Sequence, residues 1–171
     1  HDGFFLRLHL GVGGLKSSSD TLDFSGTSGS FAVAAGLSII DNLVLYGEIF
    51  DDVATSPEVK FNGQPVTASG SVTHALIGYG VGLAYYFVPF NGYIGLTAGV
   101  GGLSLEVDGQ TYSTENGPVI RLSVGKEWWV STDWGIGVAL NLVKGSAKDS
   151  PPGTETFSST SWSVAFSATY N

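Results

Sequence analysis

Ser161-Trp162-Ser163-Val164-Ala165-Phe166-Ser167-Ala168-Thr169-Tyr170 ends the chain with a larger, mostly apolar residue at every second position. Trp162, Val164, Phe166, Ala168 and Tyr170 share one side, and Ser161, Ser163, Ala165, Ser167 and Thr169 share the other, which is a β-strand with two unlike faces. Working back toward the N-terminus, the same alternation recurs over about 134 to 144, 118 to 130, 93 to 107, 71 to 87, 43 to 51, 30 to 40 and 3 to 15. Short turns at Asp41-Asn42, Pro89-Phe90-Asn91-Gly92 and Ser131-Thr132-Asp133 follow the second, fourth and sixth strands. Long polar stretches follow the others: Lys16 to Gly29, Asp51 to Gly70, Asp108 to Gly117 and Gly145 to Ser159. Within the second of these, Pro57, Asn62-Gly63 and Pro65 leave room for a small hairpin. Eight strands with alternately short and long connections predict an all-β fold, an eight-stranded antiparallel up-and-down transmembrane β-barrel.

One segment breaks the pattern. Ile94, Leu96, Ala98 and Val100 occupy one face, but after Gly101-Gly102 the apolar residues are Leu103, Leu105 and Val107, in the opposite phase. A β-bulge at the glycine pair is the expected reset.

Composition fits a barrel. The chain has 171 residues, the size of one domain (1–171), with 13% charged residues against roughly 25% in soluble domains. No run reaches the 18 or so apolar residues of a spanning helix, which excludes a helical membrane protein. Cys is absent, so disulfides, thiolate metal sites and an N-terminal lipid on cysteine are excluded. Met is absent too, and His1-Asp2-Gly3 reads as a mature end left after removal of a signal peptide. The net charge of −8 gathers in the long connections, where Asp20, Asp23, Asp51, Asp52, Glu58, Glu106, Asp108, Glu115, Asp149 and Glu155 face only Lys16, Lys60, Lys144 and Lys148. Such a rim repels phosphate, so no nucleic acid partner is expected.

Alternation alone does not say whether the apolar face meets lipid or a ligand cavity. The other face decides. It is mostly Gly, Ala, Ser and Thr, the small side chains that a narrow barrel interior accepts, where a soluble barrel would show Lys, Glu and Gln. Tyr86, Phe87, Phe90, Tyr93, Trp128, Trp129, Trp134 and Tyr170 all fall beside the short turns or the C-terminus, which predicts an interfacial aromatic girdle at one level. Short turns on the periplasmic side then place both termini there, in the bacterial outer membrane.

The eight strands, the loop asymmetry and the ending Trp162-Ser-Val-Ala-Phe-Ser-Ala-Thr-Tyr170 resemble small Gram-negative outer-membrane barrels of the OmpA and OmpX kind. Gly117-Pro118, Arg121-Leu-Ser-Val-Gly-Lys-Glu-Trp-Trp-Val130, Trp134-Gly-Ile-Gly-Val138, Lys144-Gly-Ser-Ala-Lys-Asp149 and Phe166-Ser-Ala-Thr-Tyr-Asn171 more closely resemble uncharacterised barrel proteins of deltaproteobacteria. The resemblance implies a location and a fold but no activity. It also implies partners: outer-membrane lipid and lipopolysaccharide, and the barrel-assembly machinery during insertion. Such assembly signals usually end on an aromatic residue, whereas Tyr170 here precedes Asn171.

By parity, Arg7, His9, Glu48, His74, Arg121 and Glu127 form a polar network in the lumen, with Arg7 as the expected shared partner of Glu48 and Glu127. An outer-rim acyltransferase site would need a His, a Ser and an Asp together; His74, Ser69, Ser71, Asp51 and Asp52 supply the types, but no nucleophile motif surrounds the serines. Asp51-Asp52 and Asp108-Gly109 lack calcium-loop spacing, and no helix follows Gly11-x-Gly13-Gly14 or Gly78-x-Gly80-x-Gly82 to make a phosphate cradle. No catalytic residues, metal or cofactor are therefore expected. Lys126 falls on the apolar face near the short turn, as a snorkelling lysine would. The expected function is a structural or interaction barrel that presents acidic loops to the outside, with protein partners reached through those loops. The alternative is a narrow channel, or a transporter that releases a small hydrophobic molecule laterally, with Tyr46, Phe50 and His74 near its entrance.

Overall fold

A computed structural model describes residues 3–66, 71–151, 153 and 155–170. Ser69, Gly70, Pro152 and Asn171, like His1 and Asp2, lie outside the described residues. Eight long strands run antiparallel around a closed barrel: β1 (Phe4–Ser18), β2 (Leu22–Ile40), β3 (Leu43–Thr55), β6 (Val72–Phe87), β7 (Gly92–Val107), β9 (Gly117–Trp129), β10 (Trp134–Lys148) and β11 (Thr156–Tyr170). Closure is made by β1 against β11, with Leu6 opposite Tyr170 and Ser18 opposite Ser158. Among the described residues, three short strands stand beyond the ring: the hairpin β4 (Glu58–Phe61) and β5 (Gln64–Val66), which pairs with β2, and β8 (Gln110–Ser113), which pairs with β7. Asn62-Gly63 and Asp108-Gly109 turn these hairpins with positive φ at both residues, as tight hairpins require.

Outward positions carry a continuous apolar belt. On β1 it runs from Phe4 through Leu10 to Val12, on β6 from Phe87 to Ile77, on β10 from Trp134 to Leu142 and on β11 from Tyr170 to Trp162. About nine residues of each tilted strand lie within it, close to the roughly 25 Å apolar band of transmembrane barrels. Leu10 is 66% exposed and Val81 67%, a distribution that suits lipid and not water. Above the belt the outward residues turn polar: Lys16, Thr27, Ser104, Lys144, Ser158 and Thr160.

The interior changes at the same height in the opposite sense. Above the belt it is an apolar core of Leu15, Phe24, Leu76, Leu103, Val119, Val143 and Phe157, which reaches down to Phe50 and encloses the buried polar side chains of Ser17, Asp52, His74 and Ser159. This explains the phase change after Gly101-Gly102. The β6–β7 register runs unbroken from Phe87 opposite Gly92 to Val72 opposite Val107, so no bulge exists there. Leu103 simply points inward, 6% exposed, because its strand has left the membrane and water now lies outside. Among the described residues, the one register shift in the barrel ladders lies between Ser38 and Ile40, beside the Asp41-Asn42 turn.

The stretch Lys16 to Gly29 is also not a long loop. Pairing of β1 with β2 continues to Ser18 opposite Asp23, leaving only 19–21 as the connection. Alternation persists there, with Phe24 inward and Ser25 and Thr27 outward, but its outward face is polar and so reads as loop. Asp51 and Asp52 likewise belong to β3, and Asp52 is fully buried in the bore.

Two residues expected in the girdle are not in it. Tyr86 and Tyr93 are 0% and 1% exposed, opposite each other on β6 and β7 with their rings turned into the lumen, because they alternate with the outward Phe87 and Ile94. Phe87, Phe90, Trp128, Trp129 and Trp134 are exposed at the short-turn end, where Tyr170 packs between Trp134 and Phe4. Lys126 shares this level: its ammonium bonds the Phe90 carbonyl and lies 5.2 Å from the Trp128 ring centroid. Both described chain ends lie at this end of the barrel.

Candidate functional site

Arg7, His9, Glu48, His74, Arg121 and Glu127 are all buried within the barrel. They do not form one cluster, and Arg7 is not the hub. Arg121 of β9 lies 3.5 Å through Nε from Glu48 Oε1, while Thr97 donates to Glu48 Oε2 at 2.5 Å. The other side of the same guanidinium reaches His9: NH2 lies 3.5 Å from Nδ1, and His9 Nε2 lies 2.9 Å from the Tyr93 hydroxyl. Since arginine can only donate, Nδ1 accepts and the proton of this ring sits on Nε2, which donates to Tyr93.

Arg7 rests among rings, its guanidinium carbon 4.5 Å from the Tyr93 centroid, 5.3 Å from Phe5 and 5.4 Å from Tyr46. It forms no ion pair within 4 Å among the described residues. A delocalised cation is weakly hydrated and tolerates aromatic faces, so stacking holds it where an ammonium would not stay. Glu127, below it, accepts hydrogen bonds from two hydroxyls, Thr169 at 2.6 Å and Ser167 at 3.3 Å. The rings fit because glycines face them. A Cβ on Gly82 would stand 2.5 Å from the Tyr46 ring, and one on Gly125 2.5 Å from Tyr93.

A polar belt crosses the bore above this group. Ser123 donates to Asn141 Oδ1 at 2.8 Å, Asn141 donates to Ser163 at 3.2 Å, and Ser163 reaches Ser30 at 3.2 Å. Ser163 and Ser30 sit on β11 and β2, and meet across β1 because β1 contributes Gly11 and Gly13 there. Thr97, Asn141, Ser123 and Ser163 escaped the sequence reading, which looked for charges; inward parity marks every one of them.

His74 lies three residues above the top of the apolar belt on β6, outside the membrane-spanning segment. Its Nε2 is 2.8 Å from Ser17 Oγ, which is 2.8 Å from Ser159 Oγ, and its ring stacks on Phe24 at 5.0 Å. Burial pushes its pKa down to about 4. The structure thus joins His74 to Ser17, whereas Ser71 is held elsewhere, through its amide to Asp108 Oδ1 at 3.3 Å. Above His74, the mouth holds a cavity of about 210 Å³ lined by Leu22, Phe24, Leu103, Leu105 and Phe157, with His74 and Asp149 among its polar residues. Among the described residues no three His, Asp or Glu side chains gather as a metal site would need.

Solved structures share this architecture. The neisserial surface protein NspA aligns over 98% of this chain and 96% of its own, with a TM-score of 0.68 at 14% identity. The fold is that of a small outer-membrane β-barrel. The outer membrane protease OmpT from Escherichia coli covers 99% of this chain and 96% of its own with a TM-score of 0.56 at 9% identity. The outer membrane protein AlkL covers 99% and 90% with a TM-score of 0.53 at 12%. These likenesses are of fold alone. No family model and no curated protein sequence matches the chain.

Proposed function

We propose that the protein is a non-catalytic barrel of the bacterial outer membrane, and that its acidic outer rim, not its bore, meets its partners. The observation that carries this reading is the filled lumen: Arg121, Glu48, His9, Tyr93, Arg7 and Tyr46 meet across the bore, and the apolar core stands above them. An eight-stranded barrel leaves little interior space beyond its side chains. Asp20, Asp23, Glu58, Glu106, Asp108, Glu115, Asp149 and Glu155 stand at the outer end, where protein partners, lipopolysaccharide-bound cations or neighbouring lipid would meet them. In this reading both termini are periplasmic, insertion passes through the barrel-assembly machinery, and the closeness to deltaproteobacterial barrels rests on the sequence segments that suggest it.

Transport of a small hydrophobic molecule is the second reading, and the apolar mouth favours it: Phe50 and His74 lie in the upper bore, with Tyr46 two inward positions below Phe50, beyond Glu48. Planar-bilayer conductance together with hydrophobic-probe uptake into vesicles separates the two. Absence of conductance steps and uptake no faster than in protein-free vesicles is the expected result. Saturable uptake abolished by Phe50→Trp would replace the anchoring reading with transport.

A further inference from the structure

We propose that the outer mouth of the barrel binds a neutral, ring-sized apolar molecule bearing one hydroxyl or amine. This goes beyond the anchoring reading, because capture at the mouth requires no passage through the bore.

Size comes first. The cavity measures about 210 Å³, and apolar cavities of roughly 150 Å³ bind benzene. A bicyclic aromatic of naphthalene size is the natural match. The walls are supplied by strands from around the mouth: Leu22 and Phe24 on β2, Leu103 and Leu105 on β7, and Phe157 on β11. All stand above the lipid belt and inside the ring of strands.

Chemistry comes from His74. The ring is fixed by stacking on Phe24 and by Ser17 at Nε2, while the buried Nδ1 has no hydrogen-bond partner among the described residues. A buried polar atom left unpaired is costly, and a ligand hydroxyl or amine would pair it. Held neutral at ordinary pH by burial, the ring offers a hydrogen bond and not a charge. Asp149 lines the cavity, and the loops around it are acidic, so an anion is repelled at the entrance.

The test uses the full chain in lipid nanodiscs, with 2-naphthol as probe and 2-naphthalenesulfonate as its anionic counterpart. The ring nitrogen signals of His74 are followed by NMR, with those of His9 as an internal reference. Expected is a saturable shift of His74 alone with 2-naphthol, at least tenfold weaker with the sulfonate and lost in Leu103→Trp, which fills the cavity. Leu105→Trp, nearer the rim, gives the same reading should Leu103→Trp fail to fold. A His74 shift that grows without saturation, survives both variants, or appears equally with the sulfonate overturns the proposal. So does a His74 shift on exchanging the nanodisc lipid without probe, which would mean that an acyl chain occupies the mouth.

Discussion

The two halves of this barrel are built with opposite polarity. Within the lipid belt, Leu8, Leu140 and Val164 face outward while Arg7, Glu48, Arg121 and Asn141 share the bore with the rings of Phe5, Tyr46, Tyr86 and Tyr93. Above it, Lys16, Lys144 and Thr160 face outward while Leu15, Val143 and Phe157 fill the bore. The backbone ladder is continuous between them; only the solvent changes. Where water surrounds the strands, apolar surface must go inside, as in any soluble core. Where lipid surrounds them, there is no such gain in burying leucine, and hydrogen bonds and charges made in the bore supply specific cohesion instead.

The contrast is sharpest at the Arg121–Glu48 pair. Truncating one member leaves the other buried without its partner, so Arg121→Ala should destabilise by about 3 to 5 kcal/mol in a dry lumen. Unfolding in detergent for Arg121→Ala, Glu48→Ala and the double variant measures the coupling. Additive losses would mean that the pair contributes nothing as a pair, and that the lower bore is held by its rings alone.

In the upper bore the comparable loss is a cavity. Leu76→Ala, at a residue 2% exposed, should cost about 2 to 5 kcal/mol, whereas Leu76→Met should cost under about 1.5. Equal tolerance of Ala and Met would show that this region is not packed as a core.

His74 gives the upper half a pH dependence. Its folded pKa of about 4 lies below the unfolded value near 6.5, so between these pH values the unfolded chain binds more protons. Stability is therefore full above pH 6.5 and falls as pH drops toward 4, by roughly 3 kcal/mol at most. Denaturation curves of the protein and of His74→Gln across this range should converge on the acid side. Parallel curves would place the pH response elsewhere.

Strand number, the short turns and inward parity were legible in the sequence because alternation survives any solvent. The height at which the solvent changes was less so. Leu103 and Leu105 look like a slipped register, and Ser25 to Gly29 look like loop, only when lipid is assumed along the whole strand. Tyr86 and Tyr93 misled for a related reason, since an aromatic near a turn counts toward a girdle unless its parity is checked against Phe87 and Ile94. The partner of Glu48 was not legible at all. Arg7 and Arg121 both face the bore, and the choice depends on which guanidinium finds rings and which finds a carboxylate across the barrel.

The smallest expected effect tests the boundary itself. Thr160 faces outward on β11 opposite Lys16 and Lys144, one outward step above Trp162. If the belt ends between them, Thr160→Arg enters water and should change stability by no more than about 0.5 kcal/mol. Leu140, outward on the neighbouring β10 and opposite Val164, lies inside the belt, and Leu140→Arg should cost about 2 to 4 kcal/mol near the midplane. Both variants are compared by denaturant unfolding in liposomes, where the lipid slab has a defined thickness. A Thr160→Arg cost approaching that of Leu140→Arg would raise the belt by at least one outward step, bury Lys16 and Lys144 at the lipid surface, and leave the inward apolar core without water outside it to account for it.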